Sequence, residues 1–193
     1  NGAIFKSEYD DKQESILIPV DLSNVATVVR NAASMEMTGL ELELMYQVSE
    51  AWDLMVTYGY LEAEYKDYLA DLNGDNVITD NSGLIPRNTP ENTFGFTTSY
   101  TTQIGQGELK GRVSYRFRDE MNTDSSNNPL GDLDSIENVN ATISYSIENY
   151  SVTLWGRNLT DEREQRWATI GGLTSRGWWN EPQTLGVTFA ASF

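Results

Sequence analysis

Candidate oxygen ligands recur at every second position of the segment 71–79, a spacing that suits a hard cation. The five candidate ligands are Asp71, Asn73, Asp75, the backbone carbonyl of Val77, and Thr79. A Ca²⁺ loop presents oxygen ligands at these alternating positions. Asn76 stands where such a loop favours glycine, and Ser82 stands where a bidentate glutamate completes the coordination. The pattern therefore predicts weak Ca²⁺ binding, with an ordinary Asp-, Asn- and Gly-rich loop as the alternative.

Tryptophan and arginine concentrate in the last long polar segment of the chain. The residues concerned are Trp167, Arg176, Trp178 and Trp179. Exposed Trp and Arg side chains often anchor ligands, because they combine a large contact area with a polar group. The segment is therefore a candidate binding loop for a sugar or an aromatic ligand. The alternative is that the rings pack this loop against its neighbours or extend an aromatic girdle at this end of the strands.

Basic residues recur on one side of a single predicted strand. They are Lys110, Arg112, Arg116 and Arg118, which are called the basic row below, and Arg157 lies in a later strand. Side chains two positions apart share one face of a strand. Such a row would draw in an anionic small molecule. Alternatively, it is neutralised by carboxylates, including Glu41, Glu43 and Asp53.

Composition excludes several classes of function. The formal net charge is −16, with 29 acidic and 13 basic residues, which argues against a general nucleic-acid partner. The chain has no His and no Cys, so the usual nucleophile–base pairs of enzymes are absent. No apolar run approaches the ~18 residues of a membrane helix. The sequence therefore predicts neither an enzyme nor a helical membrane protein.

Apolar and polar side chains alternate in most of the chain, which predicts β-strands with two different faces. The segments are 40–48, 52–60, 94–100, 109–117, 139–147, 150–156 and 185–193, with a weaker strand around 3–9. The apolar faces carry no charge, whereas the opposite faces carry acidic and basic residues. A transmembrane barrel requires this arrangement. A soluble β-sandwich with its apolar face inside has the same periodicity.

The connections favour the barrel, because short and long segments alternate strictly. Short turns lie at 49–51, 102–107 and 148–149, and long polar segments lie at about 10–30, 66–91, 119–136 and 161–182. Outer-membrane barrels have tight turns on one side and long loops on the other. Aromatic residues of apolar-face parity gather near the short turns, as in an interfacial girdle. They are Tyr46, Trp52, Tyr100, Tyr145, Tyr150 and Phe193.

Four motifs, in this order, resemble those of the TonB-dependent receptors. Gly39–Leu44 resembles the family's "KGxExEL" strand, Leu84–Glu91 resembles its "P-x-x-P-E" segment, and Gly156–Glu162 resembles its "NLTDE" segment. The chain ends in alternating apolar positions, as in the assembly signal of many outer-membrane proteins: Leu185, Val187, Phe189, Ala191 and Phe193. The resemblance covers nearly the whole chain.

The resemblance implies an all-β fold, an antiparallel transmembrane β-barrel of about 22 strands with a plugged lumen. Residues 1–193 would form about eight C-terminal strands, with the plug domain and earlier strands outside this chain. The implied function is TonB-energised uptake of a scarce small-molecule ligand across the bacterial outer membrane. Ferric siderophores, cobalamin, haem and oligosaccharides are all compatible. The implied partners are outer-membrane lipid, TonB with its inner-membrane complex, and the barrel assembly machinery.

Other functions remain open at this point. They are a passive porin-like channel, a small independent eight-stranded barrel, an enzyme on a barrel, and a soluble glycan-binding β-domain. No cofactor is required by any motif, and Ca²⁺ in the loop 71–79 is the one candidate ion.

Overall fold

The computed structural model describes residues 1–19, 25–73, 75, 77–163, 165–171 and 174–192. The long strands are β1 (Gly2–Pro19), β2 (Val25–Ser49), β3 (Trp52–Ala70), β5 (Asn92–Ile104), β6 (Gly107–Arg118), β9 (Ile136–Ile147), β10 (Tyr150–Arg157) and β13 (Thr184–Ala191). The short strands are β4 (Thr79–Asp80), β7 (Met121–Asn122), β8 (Asp132–Leu133), β11 (Gln165–Gly171) and β12 (Thr174–Trp179). A 3₁₀ turn spans Pro129–Gly131. Among the described residues no helix is both long and apolar enough to cross a membrane.

The eight long strands form one antiparallel sheet in the order β1-β2-β3-β5-β6-β9-β10-β13. Each long strand pairs with the next one along the chain, and all eight predicted strands are confirmed. β1 and β13 are the two ends of this order and do not pair with each other. In the part of the chain that the structure describes, the sheet is therefore open, and it does not form a small eight-stranded barrel.

Tight turns join the strands at one edge of the sheet, at 50–51, 105–106 and 148–149. The middle turn is shorter than predicted, because β5 continues to Ile104. At the opposite edge, the prediction of a polar loop over 10–30 is wrong: β1 and β2 stay paired from Lys12↔Ala33 to Pro19↔Val25. The segment 161–182 likewise contains the hairpin β11–β12. Apolar alternation does not reveal such strands, because beyond the membrane both faces can meet water.

The apolar face of the sheet is exposed. Leu44, Leu154 and Phe189 expose 57%, 54% and 81% of their surface. Among the described residues no second sheet packs on this face, since the other two sheets are two-stranded hairpins in the connections. A contiguous apolar surface of this kind is unfavourable in water. The soluble sandwich is therefore wrong, and the exposed apolar band is suited to hydrocarbon.

Both borders of the apolar band are marked by side chains. Near the tight turns, Trp52 lies opposite Tyr100, and both rings are exposed, as are Tyr46 and Tyr150. At the other border, charges replace apolar residues on the same face, where Lys6 Nζ lies 2.8 Å from Glu36 Oε2. Phe193, the sixth predicted girdle residue, lies outside the described residues. The predicted position near the tight turns is confirmed for the four exposed residues. The Tyr145 hydroxyl donates to the Ile104 carbonyl at 3.0 Å, beside the tight turn at 105–106.

A small buried core lies beyond the apolar band. It consists of Ala33, Met35, Tyr65, Tyr68 and Ala70. These residues belong to the part of the first three strands that projects past the band, called the β1–β3 extension here (residues 8–19, 25–37 and 62–70). Met37, Leu72 and Leu84 pack against this core. The extension is therefore packed like a small soluble domain, whereas the rest of the sheet has no such core among the described residues.

Candidate functional site

The polar face of the sheet forms a concave surface that encloses about 1240 Å³. Strands β2, β3, β5, β6, β9 and β10 contribute side chains of the parity opposite to the apolar band. Examples are Glu43, Thr57, Thr93, Arg116, Asn140 and Arg157. The alternation of the strands places these side chains here, because neighbouring residues of a strand point to opposite faces. In a barrel this surface is the wall of the lumen.

The basic row lies on the polar face of β6, between strands that carry neutral side chains, and its members Arg116 and Arg118 line the concave surface. Arg116 is opposite Gly95 on β5 and Asn138 on β9. Within the described residues, no carboxylate forms a salt bridge with Lys110, Arg112 or Arg116. The predicted pairing of these residues with Glu41, Glu43 and Asp53 is therefore not formed in this part of the wall.

The two other basic side chains of the wall have partners that orient them. Arg118 donates to the backbone carbonyls of Asp119 at 2.7 Å and Asp134 at 3.0 Å. The Arg157 guanidinium lies 5.3 Å from the centre of the Trp155 ring, within the range of a cation–π contact. Trp155 in turn lies over Gly186, where a Cβ atom would come within 2.2 Å of the ring. Only glycine leaves room there for the indole.

The predicted binding loop is only partly brought to this surface. Trp179 lines it, together with Arg166. Trp178 is 76% exposed and is not among the lining residues, and neither is Arg176. Trp167 pairs with Trp178 through the backbone, while its side chain lies outside the described part of the structure. Arg116, Arg118 and Trp179 are therefore the predicted ligand residues that share one surface.

The sequence does not single out Arg166, because it predicts a polar loop over 161–182 where the structure has the hairpin β11–β12. Its register is irregular between Gln165 and Trp167, so alternation could not assign a face to the residue between them. Arg166 was recognisable only as a cation beside the aromatic positions.

The oxygens of the candidate Ca²⁺ loop bind the loop itself. Asp71 Oδ1 accepts from the backbone N–H of Asn73 at 3.2 Å, and Asn73 Oδ1 accepts from Asp75 at 3.1 Å. Asp75 Oδ1 accepts from Val77 at 2.7 Å, and the Thr79 hydroxyl donates to the Ala70 carbonyl at 3.2 Å. Such turns are typical of Asp- and Asn-rich loops. Gly74 and Asn76 lie outside the described residues, and Ca²⁺ binding stays a prediction.

A buried ionic cluster in the β1–β3 extension was not predicted. Glu14 is fully buried; it pairs with Lys12 and, at 3.3 Å, with Arg87 Nε. The Tyr65 hydroxyl donates to Glu14 Oε1 at 2.8 Å. Burial raises the pKa of Tyr65 to about 12 and lowers the pKa of Lys12, which Arg87 lowers further. Arg87 belongs to the "P-x-x-P-E"-like motif, which therefore fastens its loop to β1.

The "KGxExEL"-like motif also has a packing explanation. Gly39 lies opposite Phe5, and a Cβ atom at Gly39 would come within 2.3 Å of the Phe5 ring and 2.8 Å of the Tyr60 carbonyl. The glycine thus accommodates an aromatic ring from the neighbouring strand.

The predicted assembly signal lies on the last strand. β13 pairs with β10, and Leu185, Val187 and Phe189 are exposed. Phe193 lies beyond the described residues. The three described positions share the outward face, and recognition by the assembly machinery stays a prediction.

An open meander with an exposed apolar band, an aromatic border and a polar concave face defines the wall of an outer-membrane β-barrel. The family model described as "TonB dependent receptor-like, beta-barrel" matches residues 1–159, and the chain belongs to this family. Its members are Gram-negative outer-membrane proteins that act as receptors and transporters rather than enzymes.

Solved structures of such receptors share the fold. The ferric yersiniabactin uptake receptor FyuA of Yersinia pestis matches 100% of this chain at 16% identity with a TM-score of 0.79. The ferric-catecholate import receptor Fiu of E. coli K12 matches 100% of this chain at 18% identity with a TM-score of 0.69. The siderophore receptor PiuA of Acinetobacter baumannii matches 98% of this chain at 22% identity with a TM-score of 0.68. The matches cover 27%, 25% and 25% of those chains, so this chain spans about a quarter of their length.

Proposed function

We propose that this chain belongs to a receptor that takes up an anionic ferric chelate across the outer membrane, with energy relayed by TonB. The observation that carries the proposal is the basic row on the concave surface. Arg116 lines the concave surface, and Lys110 and Arg112 share its face of β6. None of the three has a carboxylate partner among the described residues. Positive charge left open in a concave wall attracts an anion.

The negative net charge of the chain limits the regions to which an anion is attracted. The chain carries a net charge of −16, so its surface as a whole repels anions. Charges act over a Debye length of about 8 Å at physiological salt. An anion is therefore attracted only close to basic side chains such as those of the basic row. FyuA is an uptake receptor for ferric yersiniabactin and Fiu is an import receptor for ferric catecholates, which supports a ferric siderophore as the ligand class.

Trp179 and Arg166 suit a role in first capture, because they line the same concave surface at its outer edge. An indole offers a stacking face, and a guanidinium offers paired donors to an acidic group. The ligand would meet these two side chains first and the basic row next. Trp178 and Arg176 are not among the residues that line this surface and contribute less in this proposal.

The test uses the full-length receptor in its bacterium, with a radiolabelled ferric tricatecholate complex as the anionic probe. We expect the double variant Arg112→Gln/Arg116→Gln to weaken binding at least about tenfold. A hydrogen bond from a charged group contributes more to the binding free energy than one between neutral groups. The matched control is Lys6→Gln/Lys66→Gln, which removes two positive charges from the outer face. It should leave binding within about twofold.

Three outcomes contradict the proposal. Uptake that persists in cells without TonB would indicate a passive channel. Unchanged binding by the Arg112/Arg116 variant, together with entry of large antibiotics into the cell, would show that the basic row holds the plug domain through carboxylates. Direct binding of cobalamin, haem or an oligosaccharide, with no binding of the ferric probe, would assign a different ligand class.

A further inference from the structure

The segment after β10 is organised by one buried asparagine. Asn158 is 4% exposed and has a positive φ of 49°. Its backbone N–H donates to Asn140 Oδ1 at 3.0 Å, and Asn138 Nδ2 donates to its Oδ1 at 3.3 Å. Asn138 and Asn140 belong to the concave surface. The residue is thus anchored to the lumen wall, two strands from the basic row.

The same side chain also holds both ends of the segment that carries the hairpin β11–β12. Its Nδ2 donates to the Glu162 carbonyl at 2.9 Å and to the Glu181 carbonyl at 3.1 Å. Its Oδ1 accepts from the Glu162 backbone N–H at 3.1 Å. Asn180 Nδ2 donates to the Glu162 carbonyl at 2.9 Å. Because Glu162 precedes the hairpin and Glu181 follows it, these bonds close the hairpin at its neck.

We propose that Asn158 is a positioning residue that locks the neck of the β11–β12 hairpin to the lumen wall and thereby holds Trp179 and Arg166 over the concave surface. Trp179 is separated from Glu181 by a single residue, so a fixed neck fixes the indole. The hairpin then forms a fixed part of the binding surface and does not act as a moving gate. The ligand-binding consequence rests on the proposed function, whereas the lock itself does not.

The amide is needed because no other side chain of this shape both donates and accepts. Aspartate has the same shape but cannot donate to the Glu162 and Glu181 carbonyls. Glycine tolerates the positive φ but has no side chain to bond. Asn158→Asp therefore removes the two donated bonds, and Asn158→Gly removes all side-chain bonds without backbone strain. The matched control is Asn88→Gly, which makes the same change at another positive-φ asparagine (φ 59°) that is exposed.

The first measurement is hydrogen exchange of the hairpin amides in the full-length receptor in detergent. Loss of each buried hydrogen bond should raise the equilibrium constant for local opening several-fold. We expect exchange in 165–171 and 174–179 to rise at least about tenfold in Asn158→Asp and Asn158→Gly, and to stay unchanged in Asn88→Gly. Heat-modifiable migration on a denaturing gel verifies that each barrel is folded. Unchanged exchange in folded Asn158 variants would overturn the lock.

The second measurement is binding of the ferric tricatecholate probe. We expect both Asn158 variants to weaken binding about as much as Trp179→Ala does. Faster exchange with unchanged binding in the Asn158 variants, while Trp179→Ala binds more weakly, would overturn the positioning role. If the wild-type receptor does not bind the probe, the proposed function fails in this form, and the exchange result still decides whether Asn158 locks the hairpin.

Discussion

The β1–β3 extension and the basic row use similar residues in opposite ways. In the extension, Glu14 is fully buried and is paired with Lys12 and Arg87. In the row, Arg112 and Arg116 are exposed on the polar face of β6 and have no carboxylate partner among the described residues. A charge removed from water must be paired, whereas a hydrated charge can remain unpaired. The first arrangement stabilises a loop, and the second leaves charge available to a ligand.

The largest effect should come from breaking the buried pair. Arg87→Met leaves Glu14 buried beside Lys12 alone, and we expect it to cost about 3 kcal/mol of local stability in the extension. Hydrogen exchange of β1–β3 amides in the detergent-solubilised receptor measures this. The matched change Arg112→Met in the basic row should alter stability by less than about 0.5 kcal/mol. Equal losses of stability in the two variants would contradict the difference between the two sites.

High pH should affect the extension next. The pKa of Tyr65 is raised to about 12 by burial, so the folded state holds the phenolic proton more tightly than the unfolded state does. This contribution is complete below about pH 10 and is lost as pH rises toward 12, by an amount on the order of 2 kcal/mol. Exchange of extension amides against pH tests it. Tyr65→Phe should remove this pH dependence, and its persistence would assign the loss to another group.

The basic row should show the reverse profile, in which function changes and stability does not. Arg112→Gln/Arg116→Gln should cost about 1.4 kcal/mol of ligand binding, the equivalent of tenfold, with no change in exchange of the extension. Titration of the ferric tricatecholate probe measures the affinity. A loss of fold stability equal to that of Arg87→Met would mean that the row is structural.

The smallest effect concerns the loop 71–79, which joins the extension to the rest of the sheet. With a dissociation constant of ~10⁻⁴–10⁻³ M, 1 mM Ca²⁺ should stabilise the loop by about 0.4–1.4 kcal/mol. Calorimetry with millimolar Ca²⁺ tests this, with Asp71→Asn/Asp75→Asn as the control. Absence of heat with the wild-type receptor would leave an ordinary Asx-rich loop.

Alternation predicted the strands of the apolar band because every second side chain of such a strand faces lipid and is therefore apolar. Leu40, Val56 and Leu154 therefore revealed both their strands and their outward face. The same logic failed for β2 between Val25 and Arg30, where the strand continues beyond the band. It also failed for Arg166, since a register irregularity separates it from the alternating positions around it.

The candidate site was predictable in its parts but not in its assembly. The basic row follows from spacing on one strand, and the aromatic residues of the last loop follow from composition. The sequence could not show that Trp179 faces the concave surface while Trp178 does not, because that depends on how the hairpin is fastened through Asn158.

By itself, the sequence determined which residues meet lipid and which meet water, because that partition is local and repeats along each strand. The tertiary structure decided which distant charges meet. Glu14 and Arg87 are far apart in the chain and come together only when a folded loop lies against β1. Arg112 and Arg116 stay open because the register places neutral residues beside them on both neighbouring strands.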